Sequence, residues 1–211
     1  MKKVYLLIVT LFLFSSCIKS QNKKEELKTI GGPCEGCEAI YEYGNRSLKN
    51  IDTLPDFNNS NQKIKISGTV YMKDGKTPAS NVIVYAYHTD EKGIYPSTDQ
   101  SKGWERRHGY LRGWIKTDAD GKYTFYTLRP ASYPNTTIPQ HIHVTVKEPD
   151  KNEYYIDDFH FEDDPNLPER IKKRENPRGG SGVVTLKKNG EISETKRNII
   201  LGLNIPNYPE N

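Results

Sequence analysis

Two histidines one residue apart, His141-Ile142-His143, sit in a strand-like run from Gln140 to Lys147. Side chains of an extended chain alternate with period two, so both imidazoles face one side, a spacing suited to two ligands of one metal ion. The same pattern also occurs on ordinary wet strand faces, so the remaining donors decide its meaning. A hard ferric ion favours anionic oxygen donors, which tyrosinate supplies while imidazole completes the protein set. Two tyrosines stand in loops that leave strands: Tyr95, after Asp90-Glu91-Lys92-Gly93-Ile94, and Tyr133, in Ala131-Ser132-Tyr133-Pro134. The chain has 14 tyrosines, most of which must serve packing or the surface, so residue type alone does not single these two out.

The elements that must position these side chains read as short β-type runs separated by turn residues, and no long amphipathic helix stands out at the 3.6 period. The clearest runs are 64–71, 82–88, 111–117, 122–128, 141–147, 154–161, 183–187 and 198–203. Asp74-Gly75 and Asp120-Gly121 supply the positive φ that short connections need. Alternation along 64–71 and 123–128 implies one buried and one wet face, as in two packed sheets. The expected fold is therefore an all-β, two-sheet sandwich with long functional loops and little helix. The connections 90–110 and 129–140, dense in Pro, Gly, Tyr and Ser, are where binding groups are expected. The stretch 163–182 reads as a charged surface excursion.

The order of these pieces resembles the intradiol ring-cleavage dioxygenase family. The residues that carry the resemblance are Asp90-Glu91-Lys92-Gly93-Ile94-Tyr95, Arg112-Gly113, Thr117-Asp118-Ala119-Asp120-Gly121-Lys122-Tyr123-Thr124-Phe125, Pro130-Ala131-Ser132-Tyr133-Pro134, His141-Ile142-His143 and Phe161-Glu162-Asp163-Asp164-Pro165. They span roughly residues 64–166. The resemblance implies a mononuclear Fe(III) centre held by Tyr95, Tyr133, His141 and His143, with a catecholic diol and dioxygen as substrates. Ring cleavage between the two hydroxylated carbons would give a muconate-type diacid. Arg112, Tyr110 and His108 are candidates to line the substrate cavity, although Arg112 reads more readily as a structural or pocket-edge arginine. His88 and His160 match no family ligand. The chain departs from the family twice: Ile138 stands where the family has arginine, and Asp158 where it has glutamine. A transthyretin-like accessory module and a binder of catechol-bearing ligands are the competing readings.

Met1-Lys2-Lys3, an apolar run from Val4 to Phe14 and then Ser15-Ser16-Cys17 read as an export signal over 1–16. The small residues before Cys17 resemble a bacterial lipobox, which implies a lipid anchor on Cys17, a tether over 17–30 and a cell-envelope location; an ordinary signal peptide is the alternative. One β-sandwich domain is expected over 31–211. In an oxidising compartment Cys34 and Cys37 are expected to form a local disulfide, with zinc and redox roles lacking the further ligands or the βαβ context they need. The net charge of +4 is spread over interleaved lysines, arginines and acids, which gives no basic stripe for nucleic acid.

Overall fold

The computed structural model describes residues 29–210. The export signal, Cys17 and all of the tether except Thr29 and Ile30 lie outside the described residues. Ile30 packs against the main core, and its backbone N–H donates to Asn152 Oδ1 at 3.2 Å.

Two sheets make the sandwich. The first runs in the order β1 (Ile51–Thr53), β5 (Lys122–Leu128), β2 (Lys63–Tyr71), β11 (Ile192–Lys196), β10 (Lys187–Asn189), with β12 (Ile199–Ile200) also paired to β2. The second runs β4 (Arg112–Lys116), β3 (Ile83–Tyr87), β6 (His141–Lys147), β8 (Phe159–Phe161), β9 (Val183–Val184), with β7 (Tyr154–Tyr155) also paired to β6. Among the described residues helix is confined to single turns, α1 (Glu105–His108), α2 (Glu169–Lys172) and two 3₁₀ turns, of which Cys37–Tyr41 matters for the site.

The period-two pattern explains the core. Ile64, Ile66 and Val70 of β2 and Tyr123 and Phe125 of β5 point inward against Val84, Ala86, Ile142, Val144, Val146, Phe159 and Phe161 of the second sheet. Each fully buried large side chain of this set contributes roughly 1.5–3 kcal/mol by leaving water. Alternation then fixes what β6 shows on its other face: His141, His143 and Thr145. Tyr87 is the register partner of His143, and His160 that of His141, so all four rings share the outer face of the second sheet.

That outer face is not left wet. The segment before β1 folds over it, burying Ala39 and Ile40 against Tyr85 and Trp114 in a second apolar cluster, and the Trp114 indole N–H donates to the Ala39 carbonyl at 3.2 Å. A Cys34–Cys37 disulfide closes the loop that leads into this turn.

Two expectations need correction. The run 154–161 is two strands, because Ile156–Asp158 leave the ladder; the Arg197 guanidinium donates to the Asp157 carbonyl at 2.6 Å and holds that break in place. The run 183–187 also splits, with Val183–Val184 in one sheet and Lys187–Asn189 in the other. The Asp-Gly steps take the expected positive φ at Gly75 (68°) and Gly121 (67°), each in a connection that passes from one sheet to the other. β1 and β11 escape the sequence reading, β11 because its alternation is polar and it is held by parallel pairing to β2.

Candidate metal centre

His141 and His143 project from the start of β6, where the strand has emerged from Pro139 and the Gln140 N–H is held by the Asp164 carboxylate at 2.6 Å. The two tyrosines arrive on separate loops that are stitched to each other. Asp90 Oδ1 accepts from the N–H groups of Lys92 (2.8 Å) and Ile94 (3.0 Å), which curls the first loop; the Asp90 carbonyl then accepts from the Ala131 N–H (3.0 Å) of the second. Gly93, at φ 79°, lets the loops touch: a Cβ there would stand 2.0 Å from the Ser132 carbonyl oxygen.

Four donor atoms converge. Tyr95 Oη lies 2.6 Å from Tyr133 Oη, Tyr133 Oη 3.2 Å from His141 Nε2, His141 Nε2 3.1 Å from His143 Nε2, and His143 Nε2 2.9 Å from Tyr95 Oη. A ring with these edges has its centre roughly 2 Å from every corner, the length of a metal–nitrogen bond.

The proton count supports a cation there. His141 Nδ1 is 2.7 Å from the Pro139 carbonyl oxygen and His143 Nδ1 is 3.2 Å from Asp158 Oδ1; neither oxygen donates, so both Nδ1 atoms carry the hydrogen. Both Nε2 lone pairs therefore point into the ring. Two phenolic hydrogens are then all that is available for four close contacts, and a metal ion that displaces both relieves every one of them. Burial, together with the hydrogen bond from Tyr133, pushes the Tyr95 phenol above its ordinary pKa, and burial does the same to Tyr133. Burial, reinforced by His143, pulls His141 down, which keeps it neutral and able to ligate.

Asp158 is grouped spatially with His141 and His143 as a possible metal-binding set. Its carboxylate, however, sits on the Nδ1 side of His143, away from the phenols, the arrangement in which a carboxylate orients a ligating histidine. Burial opposes its charge, but the neighbouring His143, His141 and His160 outweigh that and hold its carboxyl below the usual range.

The other candidates are distributed differently. Arg112, with 9% of its side chain exposed, donates to Glu42 at 2.6 Å and Glu105 at 3.1 Å and lies over Trp114, so it pins the covering segment to β4. Tyr110 turns its hydroxyl to Asp56 at 2.9 Å. His108 is buried, bonded through Nδ1 to the Tyr85 hydroxyl at 2.9 Å and stacked on Tyr87 with ring centres 3.8 Å apart. Tyr87 in turn stacks on His143 at 4.6 Å, which makes His108 the second ring behind that candidate ligand. Sequence reasoning missed Tyr87; its place opposite His143 follows only from the β3–β6 pairing. Ile138 is 44% exposed and offers no charge where the family arginine would stand.

A family model described as "Dioxygenase" matches residues 40–197. Catechol 1,2-dioxygenase 1 of Acinetobacter lwoffii is 37% identical over 106 residues, covering 50% of this chain and 32% of the relative. The protocatechuate 3,4-dioxygenase beta chain of Burkholderia cepacia is 27% identical over 154 residues, covering 68% of this chain and 63% of the relative. The chain thus spans between about a third and just under two thirds of these relatives' length. In fold, it matches the catechol 1,2-dioxygenase of Acinetobacter radioresistens with a TM-score of 0.53 at 21% identity, over 82% of this chain and 61% of that one. The dioxygenase domain from Streptomyces sp. SirexAA-E matches with a TM-score of 0.56 at 21% identity, over 80% of this chain and 95% of that one.

Proposed function

The chain belongs to the intradiol ring-cleavage dioxygenase family, and from that membership we propose that it is an Fe(III) enzyme opening a catecholic ring between its two hydroxylated carbons. The observation that carries this reading is the closed ring of Tyr95, Tyr133, His141 and His143 donors with too few protons to fill it. These four side chains would hold the iron, which when bound would orient the diol and make it electron-rich toward dioxygen.

The chain's own residues have separable tasks. Tyr95 and Tyr133 give up their phenolic protons to become anionic donors, and one of them can take back a proton from an incoming diol. Pro139 and Asp158 fix the tautomers of His141 and His143, so that neither imidazole must reorient on loading. Tyr87 backs His143 with an apolar ring, and the disulfide-closed loop forms one wall of a cavity on that side of the imidazole.

The test is iron analysis with a visible spectrum and oxygen uptake on catechol, protocatechuate and hydroxyquinol. Loaded protein should show a tyrosinate-to-iron charge-transfer band that shifts or bleaches in Tyr95→Phe and Tyr133→Phe. Protein that takes up no iron under loading conditions would refute the reading. The exposed Ile138 favours one alternative, a catechol-ligand binder without turnover, which would show the spectral shift on adding diol and no oxygen uptake. We further propose export through residues 1–16 and a lipid anchor on Cys17, which mass spectrometry of membrane-extracted protein would test.

A further inference from the structure

A cavity of about 270 Å³ abuts the four-donor ring through one of its members. It lies between the disulfide loop and the outer face of the second sheet, with His143, Tyr87, Thr145, Tyr155 and Asp158 in its wall. That volume suits one arm of a larger ligand better than a whole ligand, for which about 300 Å³ is the usual lower bound. Among the described residues no lysine or arginine lines it.

Two carboxylates line the cavity, and their commitments differ. Glu35 is largely exposed and paired with Arg107 at 2.5 Å. Asp158 accepts through Oδ1 from His143 Nδ1–H at 3.2 Å, and that imidazole is neutral, so the contact fixes a tautomer without cancelling the charge. Asp158 Oδ2 accepts no hydrogen bond among the described residues, and with the side chain 29% exposed this oxygen is open to a further donor. The guanidinium groups behind this wall are engaged elsewhere: Arg197 donates to the carbonyls of Asp157 and Gly180, Arg174 to Asp157 Oδ1, and Arg178 to the Gly31 carbonyl. Asp158 Oδ1 lies within roughly 8 Å of the centre of the four-donor ring, with one imidazole width between them.

We propose that Asp158 and this cavity receive a cationic arm of the substrate, an aromatic diol that carries an ammonium group on a short side chain. The inference rests on the diol chemistry proposed for the four-donor ring. With the diol at that ring, the arm runs along the edge of His143 into the cavity, and a two-carbon chain gives the ammonium the reach to Asp158 Oδ2. An ammonium offers three donors to a carboxylate that can only accept. A diol with a carboxylate arm would meet Asp158 with no lysine or arginine in the wall to offset the repulsion, so the cavity selects against acids as well as for amines.

The experiment is anaerobic calorimetric titration of the iron-loaded full chain with 3,4-dihydroxyphenethylamine, its uncharged isostere 4-propylcatechol, 3,4-dihydroxyphenylpropanoate and catechol, at low and high salt. The amine should bind about tenfold tighter than 4-propylcatechol and the acid weaker than either, with the amine's preference shrinking as salt rises. Asp158→Asn keeps an acceptor for His143 Nδ1–H and removes the charge, so the amine should fall to the affinity of 4-propylcatechol; Asp158→Glu should retain part of the preference. Each preference is a ratio within one variant, so a change in iron affinity cancels. Glu35→Gln should leave the ratio within about twofold, because its exposed pair contributes little. Equal affinities for amine and 4-propylcatechol while catechol binds would overturn the subsite alone. So would a preference that survives Asp158→Asn intact or disappears in Glu35→Gln. Failure of every diol to bind would overturn the subsite together with the diol chemistry on which it rests.

Discussion

Gly93→Ala isolates the contact that brings the two tyrosine loops together. The new Cβ would stand 2.0 Å from the Ser132 carbonyl oxygen and 2.9 Å from its carbon, where ordinary contact begins at 3.4 Å. The loops must therefore part by roughly 1 Å or more, since both atoms are backbone and neither can swing away. At φ 79° the alanine also adds about 1–2 kcal/mol of left-handed backbone strain. A metal site tolerates displacements of about 0.2 Å, so Tyr95 and Tyr133 can no longer both reach one ion. The inter-sheet core lies elsewhere, and the sandwich should persist. We expect iron affinity to fall by at least ~100-fold, beyond the usual loss of a supporting contact, and the charge-transfer band to disappear or move. Competition with citrate measures the affinity, visible absorption the ligand set, and far-ultraviolet circular dichroism the fold. A folded variant with the wild-type iron affinity and band would refute the reasoning, because the loops would then not be registered through Gly93.

Three other outcomes follow from the same contacts. Asp158→Ala should weaken iron binding about tenfold, the low end for an orienting carboxylate because its side chain is 29% exposed; Asp158→Asn, which can still accept from His143 Nδ1–H, should lose less, and equal loss in both would point to charge rather than position. Burial pushes His88 down to about 4 while it bonds Thr89 and Thr127, so the unfolded chain takes up the proton first as pH falls. Stability conferred by neutral His88 is full above about pH 6.5 and is lost down to about pH 4, at most about 3 kcal/mol, a slope that urea unfolding should find reduced in His88→Gln. Arg112→Ala leaves Glu42 and Glu105 without their shared cation; since both are about 30% exposed and can rehydrate, we expect a cost of about 1.5–3 kcal/mol in denaturant unfolding, with iron affinity within about twofold of wild type.

How far the site can be read from the chain depends on which contacts are local. β5 and β6 were legible to the residue, because seven-residue alternating runs with β-branched and aromatic residues admit few other conformations. Alternation likewise put His141 and His143 on one face. It was silent about Tyr95 and Tyr133, since loop residues have no period; the family resemblance, not the physics of the strands, singled them out. The layer behind the ligands was less legible still. Tyr87 reaches His143 because β3 pairs with β6, and His160 stands beside His141 because β8 does. Neither pairing is implied by any neighbouring residue in sequence.

This division has a chemical consequence. The atoms that would bind metal keep the family's pattern, while both departures, Ile138 and Asp158, fall in the layer that pairing and loops assemble around them. Each change removes positive charge or adds negative charge relative to the residue it replaces, so the surroundings of an incoming diol are more negative by two units.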